Sequence, residues 1–268
     1  MGGLAFVIIR EYILHFPTIA PHEPATRARQ LMRDTGVRIL PVVEDHRLRG
    51  IISRLGVLSI TSTRSNLRAI DIASEPSLTI SPEEELREAL EKMLNVDEWY
   101  APVVDIGNRY IGVFGLEKVI EKLLEEDHPS LGRKVEEVMS TNIETIEAND
   151  NVASLWRKMM KYNYAGFPVV DSKGKLIGVV TQYDLIRYGF TRIELRSESP
   201  PRTGPRIREI MSTPPITVKI GDELRKAAEL MIKHDIGRVL VVNNKKELKG
   251  IIDREDIIRS YLKHSFKD

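Results

Sequence analysis

The stretch FPVVDSKGKLIGVVTQYDLI, residues 167–186, holds two short apolar runs rich in Val on either side of SKG, the composition of a hairpin turn. The second run stops at Thr181. QYDLIRYG then continues with helical period to Gly189, a residue suited to ending a helix. The same shape recurs as LPVVEDHRLRGIISRLGVL from Leu40, APVVDIGNRYIGVFGLEKVI from Ala101 and VLVVNNKKELKGIIDREDII from Val239. In each copy the second apolar run carries a glycine: Gly50, Gly112, Gly178 and Gly250.

Upstream of each copy stands a Thr before an apolar residue, then a turn, then a helical stretch. The four begin at Thr18, Thr79, Thr145 and Thr217, and lie 32, 33, 33 and 33 residues before the four glycines. Thr-to-Thr intervals are 61, 66 and 72 residues, so length varies between repeats and not inside them. In SPEEELREALEKML, Ser81 is a good N-cap, Pro82 suits a first turn, and Leu86, Leu90, Met93 and Leu94 share a face. The unit is therefore strand, helix, strand, strand, helix, and the fold class α+β with four tandem β-α-β-β-α repeats.

One unit of roughly 60 residues leaves apolar sheet surface uncovered, so repeats should pair. Pairing in order predicts one module over 1–127, with repeats at about 11–62 and 68–124, and a second over 128–268, with repeats at about 133–189 and 206–264. The break then falls near EEDHPSLGRK, Glu125 to Lys134. RSESPPRTGP, Arg196 to Pro205, is richer in Pro and Ser and would serve as a boundary on composition alone.

Composition narrows the function. The 268 residues are 42% hydrophobic and 29% charged, which is globular, and 40 Lys and Arg against 39 Asp and Glu give +1. That balance argues against general binding of nucleic acid or membrane surface. With no cysteine, disulfides, thiolate metal sites and a cysteine nucleophile are excluded. LAFVII, Leu4 to Ile9, is too short for a membrane span and lacks a preceding basic residue, so it reads as folded structure in a cytoplasmic protein. The six His include no pair at metal-ligand spacing, and no GxSxG, P-loop or dinucleotide fingerprint occurs. Catalysis finds little support. Trp156, on the helix of repeat three, and Trp99, beside a strand of repeat two, read as core or interface residues.

The pattern VMSTNIETI (Val138 to Ile146), a helix, YAGFPVVD (Tyr164 to Asp171) and LIGVVTQYDL (Leu176 to Leu185) resembles the cystathionine β-synthase (CBS) domain. Two such domains form a Bateman module, and nearly the whole chain is covered. It is similar to stand-alone archaeal and bacterial CBS proteins and to γ subunits of AMP-activated protein kinase. The resemblance implies adenosine recognition between paired repeats, with an Asp in the first turn of the last helix accepting from the ribose hydroxyls. Repeat three has Thr181 and Asp184 there, and repeat four Asp253 and Asp256. Repeat one has Ser53 and Gly56, and repeat two Gly115 and Lys118, so both lack the carboxylate. By the same resemblance, Arg238 matches a phosphate-contacting Arg. Arg254 would sit in the first turn near the same site. Walls for the base come from Asn142, Ile143, Ala165, Gly166 and Pro168 in repeat three, and Pro215, Ile216, Gly237 and Arg238 in repeat four.

Residue chemistry leaves two readings of Thr181 and Asp184 open. A helix N-terminus with free N–H groups, a carboxylate and a hydroxyl can hold a sugar phosphate. The same pair can be a helix cap worth ~1 kcal/mol. Likewise Ala165 and Gly166 suit either a ring lying on backbone or tight strand packing. Arg38 stands near the Arg238 place in repeat one. Arg196, Arg202 and Arg206 read as a solvated basic linker or as cover for phosphates.

The expectation is a non-catalytic sensor of AMP, ADP or ATP with no other cofactor, reporting cellular energy state to a separate regulated protein. Its repeats also offer a homodimer surface. The alternatives are an S-adenosylmethionine-binding CBS protein, where a sulfonium replaces phosphate, and a ligand-free interaction module.

Overall fold

The computed structural model describes residues 7–58, 66–189 and 204–265. After β1 (Ile13–Leu14), repeat one contains α1 (Ala25–Thr35), β2 (Ile39–Glu44), β3 (Arg47–Ser53) and α2 (Arg54–Leu58). Repeat two contains α3 (Leu86–Asn95), β4 (Tyr100–Val104), β5 (Tyr110–Gly115) and α4 (Leu116–Glu125). Repeat three adds a short first strand: β6 (Ile146–Glu147), α5 (Val152–Tyr162), β7 (Gly166–Val170), β8 (Leu176–Thr181) and α6 (Gln182–Tyr188). Repeat four runs β9 (Thr217–Lys219), α7 (Leu224–Lys233), β10 (Arg238–Val242), β11 (Leu248–Asp253) and α8 (Arg254–Ser265). In repeats one and two the first strand is a single parallel bridge, Ile19 to Val42 and Ile80 to Val103.

The hairpins form as their alternating Val and Ile residues require. In β7–β8, Gly166 faces Thr181 and Val169 faces Gly178, and a bulge follows between Val169 and Val170. All four hairpins shift register at this same place. α6 ends at Gly189 with φ of 75°, the left-handed cap expected for it. α3 begins later than expected. Ser81 does not cap it: Glu84 N–H donates to Ser81 O at 3.1 Å in a turn. Glu85 is held extended by its bridge to Ile8, and Leu86 N–H donates to Val7 O at 2.8 Å. The tertiary strand contact outcompetes local capping. Ile9 is fully buried and Val7 packs on the core, so this end of LAFVII is folded structure, while residues 4–6 lie outside the described residues.

The recurring hairpin glycine has a packing cause. At Gly112 a Cβ would lie 2.4 Å from Ile13 Cγ2 and 2.7 Å from Leu14 O. At Gly178 it would meet Met211 Sδ and Ser212 O, each at 2.8 Å. The lead-in to one repeat crosses the hairpin of another at these points. β1, ahead of repeat one, pairs with β5 of repeat two, and Ser74, ahead of repeat two, bridges Ile51 of repeat one. Ser140, ahead of repeat three, bridges Ile251 of repeat four, and Ser212 bridges Val179 in return.

The compact units do not follow the expected division at residue 127. One comprises residues 1–15, 76–143 and 216–268, with repeats two and four; the other comprises 16–75 and 144–215, with repeats one and three. In-order pairing appears in the lead-in strands, but the cores are made by helices. In the first unit α4 packs on α7 and α8, around Leu90, Phe114, Ile120, Met231, Ile257 and Tyr261. In the second α2 and α1 pack on α6, around Met32, Leu40, Ile52, Met159, Phe167 and Leu185. The apolar stripe of an amphipathic helix needs a partner, and burying it is the dominant favourable term in folding. Trp156 packs partly buried against this second core.

The even charge balance conceals an asymmetry. The unit of repeats two and four carries 20 Lys and Arg against 25 Asp and Glu, a net of −5; its counterpart has 20 against 14, a net of +6.

Candidate functional site

At the repeat-three corner, Thr181 closes β8 and caps α6. Asp184 N–H donates to Thr181 Oγ1 at 3.3 Å, while Asp184 Oδ2 accepts from Thr181 N–H at 2.8 Å and from its hydroxyl at 2.7 Å. The capping box is real. It uses one carboxylate oxygen, and Asp184 Oδ1 accepts no hydrogen bond among the described residues. Asp184 is 6% exposed. Burial pushes its carboxyl above the usual carboxylate range, against the Thr181 hydrogen bonds and the charges of Arg187 and Arg54.

Gly166 is explained by packing, because a Cβ there would lie 3.0 Å from both Thr181 Cγ2 and Val180 O. Ala165 O accepts from Gln182 N–H at 2.8 Å, and Pro168 faces Val179 in the hairpin. Asn142 and Ile143 close the last segment before the boundary at 143 and so belong with repeats two and four; Pro215 falls at the end of the unit of repeats one and three. Arg54 stands beside this corner. Its guanidinium lies 4.8 Å from the Tyr183 ring, its Nε donates to Val37 O at 3.2 Å and its Nη2 to Gly36 O. Tyr183 hydroxyl donates to Arg33 O at 3.1 Å. Sequence reasoning passed over Arg54, yet SRLG and DRED align, placing it at the offset of Arg254. Arg206 donates to Asn149 O at 2.6 Å; Arg196 and Arg202 lie outside the described residues.

The repeat-four corner closes the same reciprocal cap with a carboxylate, Asp253, in place of the Thr181 hydroxyl. Asp253 Oδ1 accepts from Glu255 N–H at 3.0 Å and from Asp256 N–H at 3.3 Å, and Asp256 Oδ2 accepts from Asp253 N–H at 2.9 Å. Burial, then Asp253, pushes the Asp256 carboxyl up to about 7. Burial also raises Glu255, reinforced by Asp97 and Asp253.

Arg254 is not a ligand-facing cation. It is 1% exposed and spans the helix interface, donating to Tyr100 hydroxyl and to Glu117 Oε2 at 3.0 Å, with Asp235 at 3.6 Å. A buried guanidinium must find carboxylates, and Glu117 on repeat two supplies one. Arg238 lies 4.7 Å from the ring of Trp99, with Asp253 at 3.9 Å. Gly237 meets the same ring: a Cβ would lie 2.1 Å from Trp99 Cζ3 and 2.8 Å from Cη2. Trp99 Nε1–H donates to Glu255 Oε1 at 3.2 Å. Ile216 packs partly buried against the core.

Among the described residues no helix is long and apolar enough to cross a membrane, and no group of three or more His, Asp or Glu could hold a metal ion. Four β-α-β-β-α repeats, of which repeats three and four carry an Asp in the first turn after the strand-to-helix corner, define a tandem-repeat protein. The CBS domain family model matches residues 9–61, 69–125, 135–190 and 207–263, and the chain belongs to the CBS domain family.

Two Methanocaldococcus jannaschii proteins are similar in sequence. MJ1404 is 28% identical over 251 residues, 90% of this chain, which spans only 58% of that protein. MJ1225 is 26% identical over 268 residues, 91% of this chain and 94% of its own length. The crystal structure of MJ1225, a protein proposed as an archaeal homologue of g-AMPK, superposes with a TM-score of 0.84 over 95% of this chain and all of that one. A conserved Pyrococcus horikoshii protein, 21% identical with a TM-score of 0.64 over 94% of this chain and 99% of its own, shares the fold.

Proposed function

We propose that the chain is a non-catalytic regulatory protein that binds an adenine nucleotide, AMP, ADP or ATP, at the repeat-three corner and conveys cellular energy state to a separate protein. The carrying observation is Asp184 itself. One oxygen closes the cap and the other is left to accept from a ribose diol. Arg54 and Arg187 act electrostatically on this carboxylate, within a unit of net +6, a setting suited to a phosphate. Similarity to MJ1225, itself proposed as a g-AMPK homologue, supports the choice of adenine nucleotide. Binding biases a partner only if two packings of the repeats differ in affinity for the nucleotide.

S-adenosylmethionine is the second reading, favoured by one feature of repeat four. Asp97, Asp253, Glu255 and Asp256 gather in a unit of net −5, which suits a sulfonium better than a phosphate. Calorimetric titration with AMP and with S-adenosylmethionine, on wild type and Asp184→Asn, separates them. AMP heat that disappears in the variant is the expected result; silence toward both titrants would leave the interaction-module alternative.

A further inference from the structure

We propose that Trp99 is an internal occupant of the repeat-four corner, holding closed the surface that Gly237 and Arg238 would present to a nucleotide, so that only repeat three is open. This inference rests on the adenine-nucleotide reading above and assigns the regulation of its second site.

The indole occupies the glycine backbone and the arginine that a purine nucleotide would need. Its six-membered ring lies directly on Gly237, where the absence of a side chain admits a ring to the backbone. The guanidinium of Arg238, 4.7 Å from the ring, is engaged by a cation–π contact and by Asp253. Indole Nε1–H donates to Glu255 in the first turn of α8, and Arg259 Nη2 holds the other Glu255 oxygen at 3.1 Å. Ring face and cation are thus satisfied from within the chain, and the indole N–H is tied to Glu255, next to Asp256.

Internal symmetry shows how the occupant arises. Trp99 precedes β4 by one residue, as Gly237 precedes β10, and Ala165 and Arg38 stand at the same place before β7 and β2. In the unit of repeats two and four a bulky ring on one repeat therefore fills the space left by a glycine on its counterpart. Repeats one and three have Arg38 and Ala165 there, a cation and a methyl, and no ring. The asymmetry matches the charges of the two units. Trp99 is only partly buried, so its departure does not require the core behind it to open.

The test is calorimetric titration of the full chain with AMP, with far-UV dichroism and thermal melting to verify folding. Wild type should bind one AMP per chain, lost in Asp184→Asn and kept in Asp256→Asn. Trp99→Ala should gain a second site, at least tenfold tighter than any residual second binding in wild type, which the added Asp256→Asn removes. Should Trp99→Ala fail to fold, Trp99→Leu keeps apolar volume while removing the ring and the N–H. A wild-type protein that already fills a site sensitive to Asp256→Asn would overturn the proposal. So would a folded Trp99 variant that gains nothing while the Asp184-dependent site persists. No AMP binding in any variant would overturn the nucleotide reading itself, recognisable by the missing Asp184-dependent site in wild type.

Discussion

Replacing Arg254 by Ala should destabilise the protein by about 3–5 kcal/mol, because it strands the carboxylate of Glu117 in the interface between repeats two and four. The magnitude follows from burial. Arg254 is 1% exposed and the Glu117 side chain 16%, so water does little to replace the lost charge. The Tyr100 hydroxyl also loses the guanidinium that donates to it, while Asp235, 75% exposed, adds almost nothing. Among the described residues Arg254 Nε is buried with no hydrogen-bond partner, so the ion pair is imperfectly satisfied and an apolar pair should replace it well. Arg254→Met with Glu117→Leu should therefore recover at least half the loss. Urea unfolding reads the free energies, and calorimetry should show Tm falling by roughly 6–20 °C for Arg254→Ala. Below that temperature its affinity for AMP should equal wild type. A loss under about 1 kcal/mol, or a double variant no better than the single, would refute an interior ion pair; a selective loss of AMP binding would restore the phosphate role.

Asp184→Asn should abolish AMP binding with little change in Tm, whereas Thr181→Ala should lose a cap at a cost of about 1 kcal/mol by urea titration. Gly112→Ala should cost about 1–3 kcal/mol, since its methyl would collide with Ile13 and the Leu14 carbonyl; an unchanged unfolding midpoint would exclude that crossing. The Asp256 carboxyl, at about 7, lies among Asp253, Glu255 and Arg259, and holds in the folded state a proton that an exposed Asp releases near pH 4. Its stabilisation is full below about pH 4 and is lost as pH rises through about 7. The stability of wild type minus that of Asp256→Asn should accordingly fall from pH 4 to 8; a difference that rises would reverse the sign of the shift.

Much of the fold was legible because repetition averages out local ambiguity. The hairpins and the helical periods follow from residues that agree in all four copies, and the cap of α6 from Gly189 alone. The start of α3 was not legible, since Ser81 and Pro82 spell a cap that the bridge of Ile8 to Glu85 overrides. Nor was the grouping of repeats two with four and one with three, because an apolar helix stripe announces that it will be buried and not by which helix. At the corners the sequence placed Asp184 and Asp256 where the cap needs them. It could not separate Arg238, which lies against an indole, from Arg254, which lies inside, because both are arginines beside a strand end.

The two corners that carry the Asp differ in what the counterpart repeat brings to each. Repeat three meets Arg54, a cation that leaves a carboxylate oxygen uncommitted. Repeat four meets Trp99, Tyr100 and Glu117, which take up its glycine and both of its arginines. The same Asp at the same offset is therefore a candidate receptor in one unit and stands beside residues engaged by the counterpart repeat in the other. Repeats one and two, with Gly56 and Lys118 in place of that Asp, supply the residues that decide between these outcomes. Loss of the carboxylate from a repeat need not make it idle, because its remaining side chains set the charge and access of the corner it faces.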